Sequence, residues 1–183
     1  DRIETLDGRA MAKKRNLAKR YRTANPEAVF RPFVREDGTV DEETIARALE
    51  FLDAWYATET EGGVLSASLE EERATIHRAF SPEIAPALFG GVLFSDGTPD
   101  ARVDGFSYGA RLTSRMAAVH IEKGRRDPGV YPALSSAFAA SLPEEIRILN
   151  REEDINVPGL RRAKLQWAPL GDVQKGVLEL LPL

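Results

Sequence analysis

Three acids and three bases face one another across a short turn in the run ILNREEDINVPGLRRAKLQWAP, residues 148–169. Glu152, Glu153 and Asp154 precede the turn Asn156-Val157-Pro158-Gly159, and Arg161, Arg162 and Lys164 follow it. Unpaired charges are costly to bury, so clustered opposite charges either stay in water or satisfy each other. Alternate side chains diverge in extended backbone, which groups Glu152 with Asp154. Arg161 and Lys164, three residues apart, share a helical face and are expected opposite that pair. Leu160, Ala163 and Trp167 are then the positions that would pack this helix on a sheet. Such a cluster can orient a cationic amine or a terminal nucleotide and can take a proton. A solvated loop has the same composition, so the types alone leave both readings open.

Two other stretches offer chemistry. In RMAAVHIEK, residues 115–123, strict alternation puts His120 and Glu122 on one face and Val119 and Ile121 on the other. Histidine changes charge near neutral pH, so His120 can accept a proton from an attacking group. The plainer alternative is a satisfied core histidine beside a surface glutamate. In GRRDPGV, residues 124–130, Arg125 and Arg126 stand just before a helix that Gly129 opens. Two guanidinium groups and a helix N-terminus suit a phosphate, although Asp127-Pro128-Gly129 is also ordinary turn chemistry. Acyl transfer asks for a base, donors for a developing oxyanion and a grip on an anionic donor. The three stretches together hold those parts.

What must position them is a sheet. AVFRPFV (28–34) reads as a strand, with Pro32 pointing to an edge. After the Asp37-Gly38 turn, apolar residues at 45, 48, 49, 52, 55 and 56 mark a helical core face. A second helix is expected with Ser68 as N-cap and Glu71 closing a capping box, running to about Phe80. ALFGGVLFS (87–95), ARVDGFSYGARL (101–112) and RMAAVHIEK then form an antiparallel meander. A helix over 131–141 leads to a strand over 145–150, a β-α-β unit whose two strands are parallel. The charged helix and a last strand, GVLELL (176–181), complete the order β-α-α-β-β-β-α-β-α-β, an α+β fold on a mixed sheet. Ligands of such sheets collect beyond the C-terminal ends of parallel strands. Here that crevice lies between the ends of 115–123 and 145–150, where the charged stretches sit.

Composition narrows the chemistry. With no cysteine, disulfides, thiolate metal sites and a cysteine nucleophile are excluded, and two histidines, His77 and His120, argue against a metal site. No apolar run approaches the length of a membrane span and no leader pattern opens the chain, so a soluble, cytoplasmic protein without a transmembrane segment is expected. The start at Asp1 rather than Met points to a piece of something longer. Residues 9–22 hold seven basic residues and no acid, whereas the remainder holds 18 basic and 29 acidic residues, a balance of +7 against −11. Lys13, Lys14 and Arg15 in that segment are candidate nucleic-acid contacts, with tRNA as the partner. Leu6, Ala10, Leu17 and Tyr21 fall on a stripe that would instead pack a merely solvated helix.

The element order resembles that of the GNAT acyltransferase superfamily. Two stretches, VHIEKGRRDPGVYPALSSAFA (119–139) and LNREEDINVPGLRRAKLQWAP (149–169), resemble one branch of it, the family typified by the C-terminal domain of phosphatidylglycerol lysyltransferase. The second is similar to that family's asparagine-arginine-glutamate-glutamate-aspartate run, here Asn150 to Asp154, followed by Gly159-Leu160-Arg161 and Lys164. KKRN (13–16) resembles the basic helix that joins two tandem lobes in soluble relatives. The resemblance implies a GNAT-like domain over 26–183, a linker helix over 1–25 and a missing N-terminal lobe. It implies transfer of an aminoacyl group from charged tRNA, or an acyl group from acyl-CoA, to a lipid headgroup or small-molecule amine or hydroxyl. The run 124–129 departs from the usual GNAT pyrophosphate loop, which counts against coenzyme A. The catalytic candidates are then His120, Glu122, Glu152 and Asp154. Arg125, Arg126, Gly129, Asn150, Arg161 and Lys164 are the candidates for holding substrate. Two other functions remain open, a non-catalytic RNA-binding module and an acyl-CoA-dependent N-acetyltransferase.

Overall fold

The computed structural model describes residues 2–60 and 64–173, so the expected strand at 176–181 lies outside the described residues. Five strands form one sheet in chain order: β1 (Val29–Pro32), β2 (Leu88–Phe94), β3 (Val103–Arg111), β4 (Met116–Gly124) and β5 (Ile148–Asn150). The pairs from β1 to β4 are antiparallel, and β5 joins β4 parallel, as the meander and the β-α-β unit require. Helices α1 (Arg2–Thr5) and α2 (Ala12–Ala24) precede the sheet. Helices α3 (Glu42–Thr58) and α4 (Ala67–Ala79) follow β1, α5 (Val130–Ala140) follows β4, and α6 (Pro158–Leu165) follows β5. Over the described residues this is the expected mixed-sheet order.

Period-two alternation sorts the core into two halves. Val92 and Phe94 of β2 and Phe106 and Tyr108 of β3 pack with Ile45, Ala48, Leu52 and Tyr56 of α3 and Ile76 of α4. Leu93 points the other way, into a cluster with Leu6, Met11, Ala18, Tyr21, Val130, Ala133, Leu134 and Trp167. Asp41 starts α3 by accepting the Thr44 N–H at 3.0 Å. In α4 the N-cap is Ser66, whose side chain accepts the Leu69 N–H, and not Ser68. Both serines suit a cap; starting at Ser66 lets Leu69 pack on the first core half from the opening turn.

The basic segment is part of the second half. Ala18 and Tyr21 are buried against α5, and the Tyr21 hydroxyl donates to buried Asp104 of β3 at 2.6 Å. Of the expected stripe, Leu6 and Tyr21 are buried, Leu17 is half-buried and Ala10 is exposed. At Gly129, φ is +95°, and a Cβ there would lie 2.2 Å from the Leu17 carbonyl oxygen of α2. Gly129→Ala combines a left-handed backbone cost of about 1–2 kcal/mol with that clash. A fall of roughly 4 °C or more in melting temperature is expected for this substitution. A parent-like melt would show that α2 does not lie this close to α5.

One irregularity positions the candidate chemistry. Along β3 and β4, Tyr108 pairs with Ile121 but Gly109 pairs with Val119, so His120 is an extra residue without a partner across the ladder. Gly109 sits opposite the bulge, where a Cβ would come within 1.8 Å of the Ala118 carbonyl oxygen. Nothing larger than glycine fits that approach.

Candidate active site

The parallel pairing of β4 with β5 is short. It runs from Met116–Ile148 to Ala118–Asn150 and stops, after which β4 continues while the other chain leaves the sheet at Arg151. Two ion pairs span the opening. His120 Nδ1 lies 2.9 Å from Glu152 Oε1, with both side chains a little over one-third exposed. The Arg151 guanidinium donates to Glu122 Oε2 at 2.7 Å, with both side chains largely buried. The Ser135 hydroxyl of α5 donates to the other Glu122 oxygen.

The expected sharing of a face by His120 and Glu122 does not hold. The bulge takes His120 out of the alternation, and its ring lies 6.1 Å from that of Tyr108, a member of the core half under α3 and α4. Glu122 meets α5 instead. The two residues are linked through their neighbouring partners, Arg151 and Glu152.

The segment after β5 is a held, strained loop. Glu152, Ile155 and Asn156 all have positive φ, at 57°, 44° and 61°. Such conformations cost non-glycine residues on the order of 1 kcal/mol or more each and persist only where the surroundings impose them. Here the Asn150 side-chain oxygen accepts the Glu152 N–H at 2.8 Å. The Lys164 ammonium donates to three successive carbonyls, those of Arg151, Glu152 (3.0 Å) and Glu153 (2.6 Å). Burial, and then the charge of Arg151, lower the Lys164 pKa below the ordinary lysine value. The Arg161 guanidinium binds both Asp154 oxygens, one at 3.1 Å, and that hydrogen bonding holds the Asp154 carboxyl below the usual aspartate range.

The expected grouping of acids against bases is therefore realised for Asp154 and Arg161, and with different partners for Glu152 and Lys164. Asp154 takes Arg161, Glu152 takes His120, and Lys164 binds backbone rather than carboxylates. The expected packing of α6 through Leu160 and Ala163 fails, because no residue of α6 is buried. Its ties run to the loop, and beyond its end Trp167 enters the core with Ala168 packed against the same cluster. The Trp167 ring carries Arg151 at 4.9 Å and Lys14 of α2 at 4.0 Å.

The remaining candidates lie elsewhere. Arg125 pairs with Asp127 at 2.7 Å and Arg126 with Glu59. Gly129 is covered by Leu17 of α2, so the start of α5 faces protein. In α2, Arg15 donates to the Leu6 carbonyl at 2.6 Å and Lys14 is on Trp167, whereas Lys13, Lys19 and Arg20 are exposed. Arg151, Ser135 and Trp167 went unassigned as site residues. Arg151 stands inside the acidic run, where attention falls on the acids, and nothing in the sequence marks Ser135 as a partner of a strand residue 13 positions earlier.

A cavity of about 540 Å³ opens beside this loop, lined by Leu149 and Asn150 of β5, Glu152, Asp154, Arg161, Lys164 and Trp167 among others. Among the described residues, no group of three or more His, Asp or Glu is placed to hold a metal ion, and no helix is long and apolar enough to cross a membrane.

The family model described as "Phosphatidylglycerol lysyltransferase, C-terminal" matches residues 1–175. The chain belongs to that family. The lysyltransferase C-terminal domain is GNAT-like, and the α+β mixed sheet described above is its fold. A crystal structure from Bacteroides thetaiotaomicron, titled a conserved protein of unknown function, is similar at 27% identity with a TM-score of 0.76. The match covers 93% of this chain and 53% of that one, so this lysyltransferase-type domain spans about half the length of that relative. No curated protein matches it.

Proposed function

We propose that this domain moves an aminoacyl group from aminoacyl-tRNA to an amine or hydroxyl acceptor, such as a lipid headgroup or a small molecule. The observation that carries this reading is the His120–Glu152 pair at the opening between β4 and β5. Glu152 holds Nδ1, which leaves Nε2 to take the proton of the attacking amine or hydroxyl. The acceptor's nitrogen or oxygen forms a bond to the ester carbonyl carbon, the bond to the tRNA oxygen breaks, and that oxygen leaves with a proton. Arg161, paired with Asp154 but still exposed at the cavity, is the candidate to meet the anionic donor, while Lys164 holds the loop carbonyls. Arg125 and Arg126, paired with Asp127 and Glu59 beside a covered helix start, add no support to a coenzyme A site.

The test is transfer of labelled lysine from lysyl-tRNA to phosphatidylglycerol vesicles or soluble amines, with labelled acetyl-CoA run in parallel. Label moving from the tRNA ester supports the reading; label moving only from acetyl-CoA overturns it in favour of an N-acetyltransferase.

The basic helix has a separable part in this. Because Lys14 and Arg15 are engaged within the fold, the tRNA contact belongs to exposed Lys13, Lys19 and Arg20. Each phosphate contact contributes about 0.9 to the slope of log K on log salt for duplex regions. The Lys13→Ala, Lys19→Ala, Arg20→Ala triple variant is therefore expected to flatten that slope by about 2–3. An unchanged slope would show that this helix face is only solvated.

A further inference from the structure

Tyr108 is a buried aromatic whose hydroxyl is used by nothing among the described residues. Its residue is 4% exposed, and its ring packs edge-on against Phe80 at 5.3 Å. Among the described residues the hydroxyl has no hydrogen-bond partner. The fully buried, unpaired side-chain polar atom among those residues is Arg151 Nε, so the Tyr108 oxygen is not wholly enclosed. Buried phenols ordinarily find a partner for the O–H, and one left without a partner is a donor held in reserve.

Its surroundings say what it would donate to. Tyr108 is the last regular pair before the β4 bulge, and the His120 ring is 6.1 Å away. The carboxylates of Glu72 and Glu152 lie close enough to act on it, and burial together with their charges pushes the phenol up to about 12. Both carboxylates have partners of their own. Glu72 binds the Lys123 ammonium at 2.9 Å and the Tyr56 hydroxyl at 2.9 Å, and Glu152 binds His120. The phenol thus stays protonated and unspent beside the base. A donor already fixed by packing is the kind worth most where charge develops in acyl transfer.

Building on the transfer reading above, we infer that Tyr108 is a catalytic residue whose hydroxyl donates a hydrogen bond to the carbonyl oxygen of the transferred acyl group as that oxygen becomes anionic. Tyr108 keeps its proton throughout, and the bond changes are those of the transfer itself. His120 takes the acceptor's proton on one side, and Tyr108 steadies the carbonyl oxygen on the other. Lys123, bound to Glu72, offsets the negative charge that carboxylate would otherwise present to an oxyanion.

Tyr108→Phe separates this from a packing role, since it keeps the ring and removes only the unpaired oxygen. In the lysyl-tRNA to phosphatidylglycerol vesicle assay, kcat is expected to fall roughly 10²–10³-fold, with KM near that of the parent. The melting temperature is expected to stay equal or rise, because no folded-state hydrogen bond is lost. Equal kcat in parent and variant overturns the assignment, as does a loss confined to KM. A variant that melts well below the parent would show that the hydroxyl is paired in solution, which also overturns it. An inactive parent overturns the transfer reading and this one with it, whereas an active parent with an equally active variant overturns only the role of Tyr108.

Discussion

Changing His120 to asparagine is expected to lower turnover by roughly 10²–10⁴-fold, the usual contribution of a positioned general base. The domain should remain folded, because the pair it breaks is more than one-third exposed on each side, and such pairs are worth about 1 kcal/mol or less. Glu152→Gln keeps a hydrogen-bond acceptor for Nδ1 and removes the charge that favours the imidazolium. Its loss should therefore be smaller than that of His120→Asn. Measuring kcat and KM for the parent and both variants decides the matter. If His120→Asn turns over like the parent, the base lies elsewhere and the opening between β4 and β5 loses its proposed chemistry.

Stability should fall most when Glu122 is truncated. Glu122→Ala leaves Arg151 largely buried, with Nε already unpaired and Nη2 stripped of its carboxylate, and takes the acceptor from Ser135. Removing one partner of a buried ion pair costs about 3–5 kcal/mol. For a chain of this size that corresponds to a melting temperature lower by roughly 10 °C. The double substitution Glu122→Leu with Arg151→Met should recover much of that loss, because replacing both charges by apolar groups is often neutral. A Glu122→Ala protein that melts with the parent would mean that the pair does not form in water. The double variant has a second use. If the fold is restored while transfer is not, Arg151 and Glu122 hold the loop that presents Glu152, and their part in catalysis is one of placement.

How much of this was legible before the fold was known depends on the range of the interaction. Short-range rules did well. Alternation gave the strands from Leu88 to Gly124, apolar spacing gave α3, and Asp41 capped a helix that local pattern already required. The parallel placement of β5 followed from having a helix between two strands, which is a constraint on chain connection rather than on side chains. The candidate cluster at 148–169 was legible too, because opposite charges that close in sequence must meet or be solvated. Where two local solutions were nearly equal, as with Ser66 and Ser68, packing of Leu69 chose between them.

Only the tertiary structure decided which charges meet. One extra residue at His120 breaks a period of two and sends the imidazole to Glu152 and Tyr108 instead of beside Glu122; no composition rule announces a bulge, whose cause is a glycine 11 positions away that lets the strands close. Lys164 binds three carbonyls because the loop's positive-φ residues turn those oxygens together, a convergence that side-chain charge says nothing about. The basic segment divides into an inner set, with Lys14 on Trp167 and Arg15 on Leu6, and an outer set with Lys13, Lys19 and Arg20, because α2 lies against α5. The sequence by itself determined which residue types were present and which elements would carry them. Partners separated by tens of residues were settled by the sheet, whose geometry brings together what no local spacing relates.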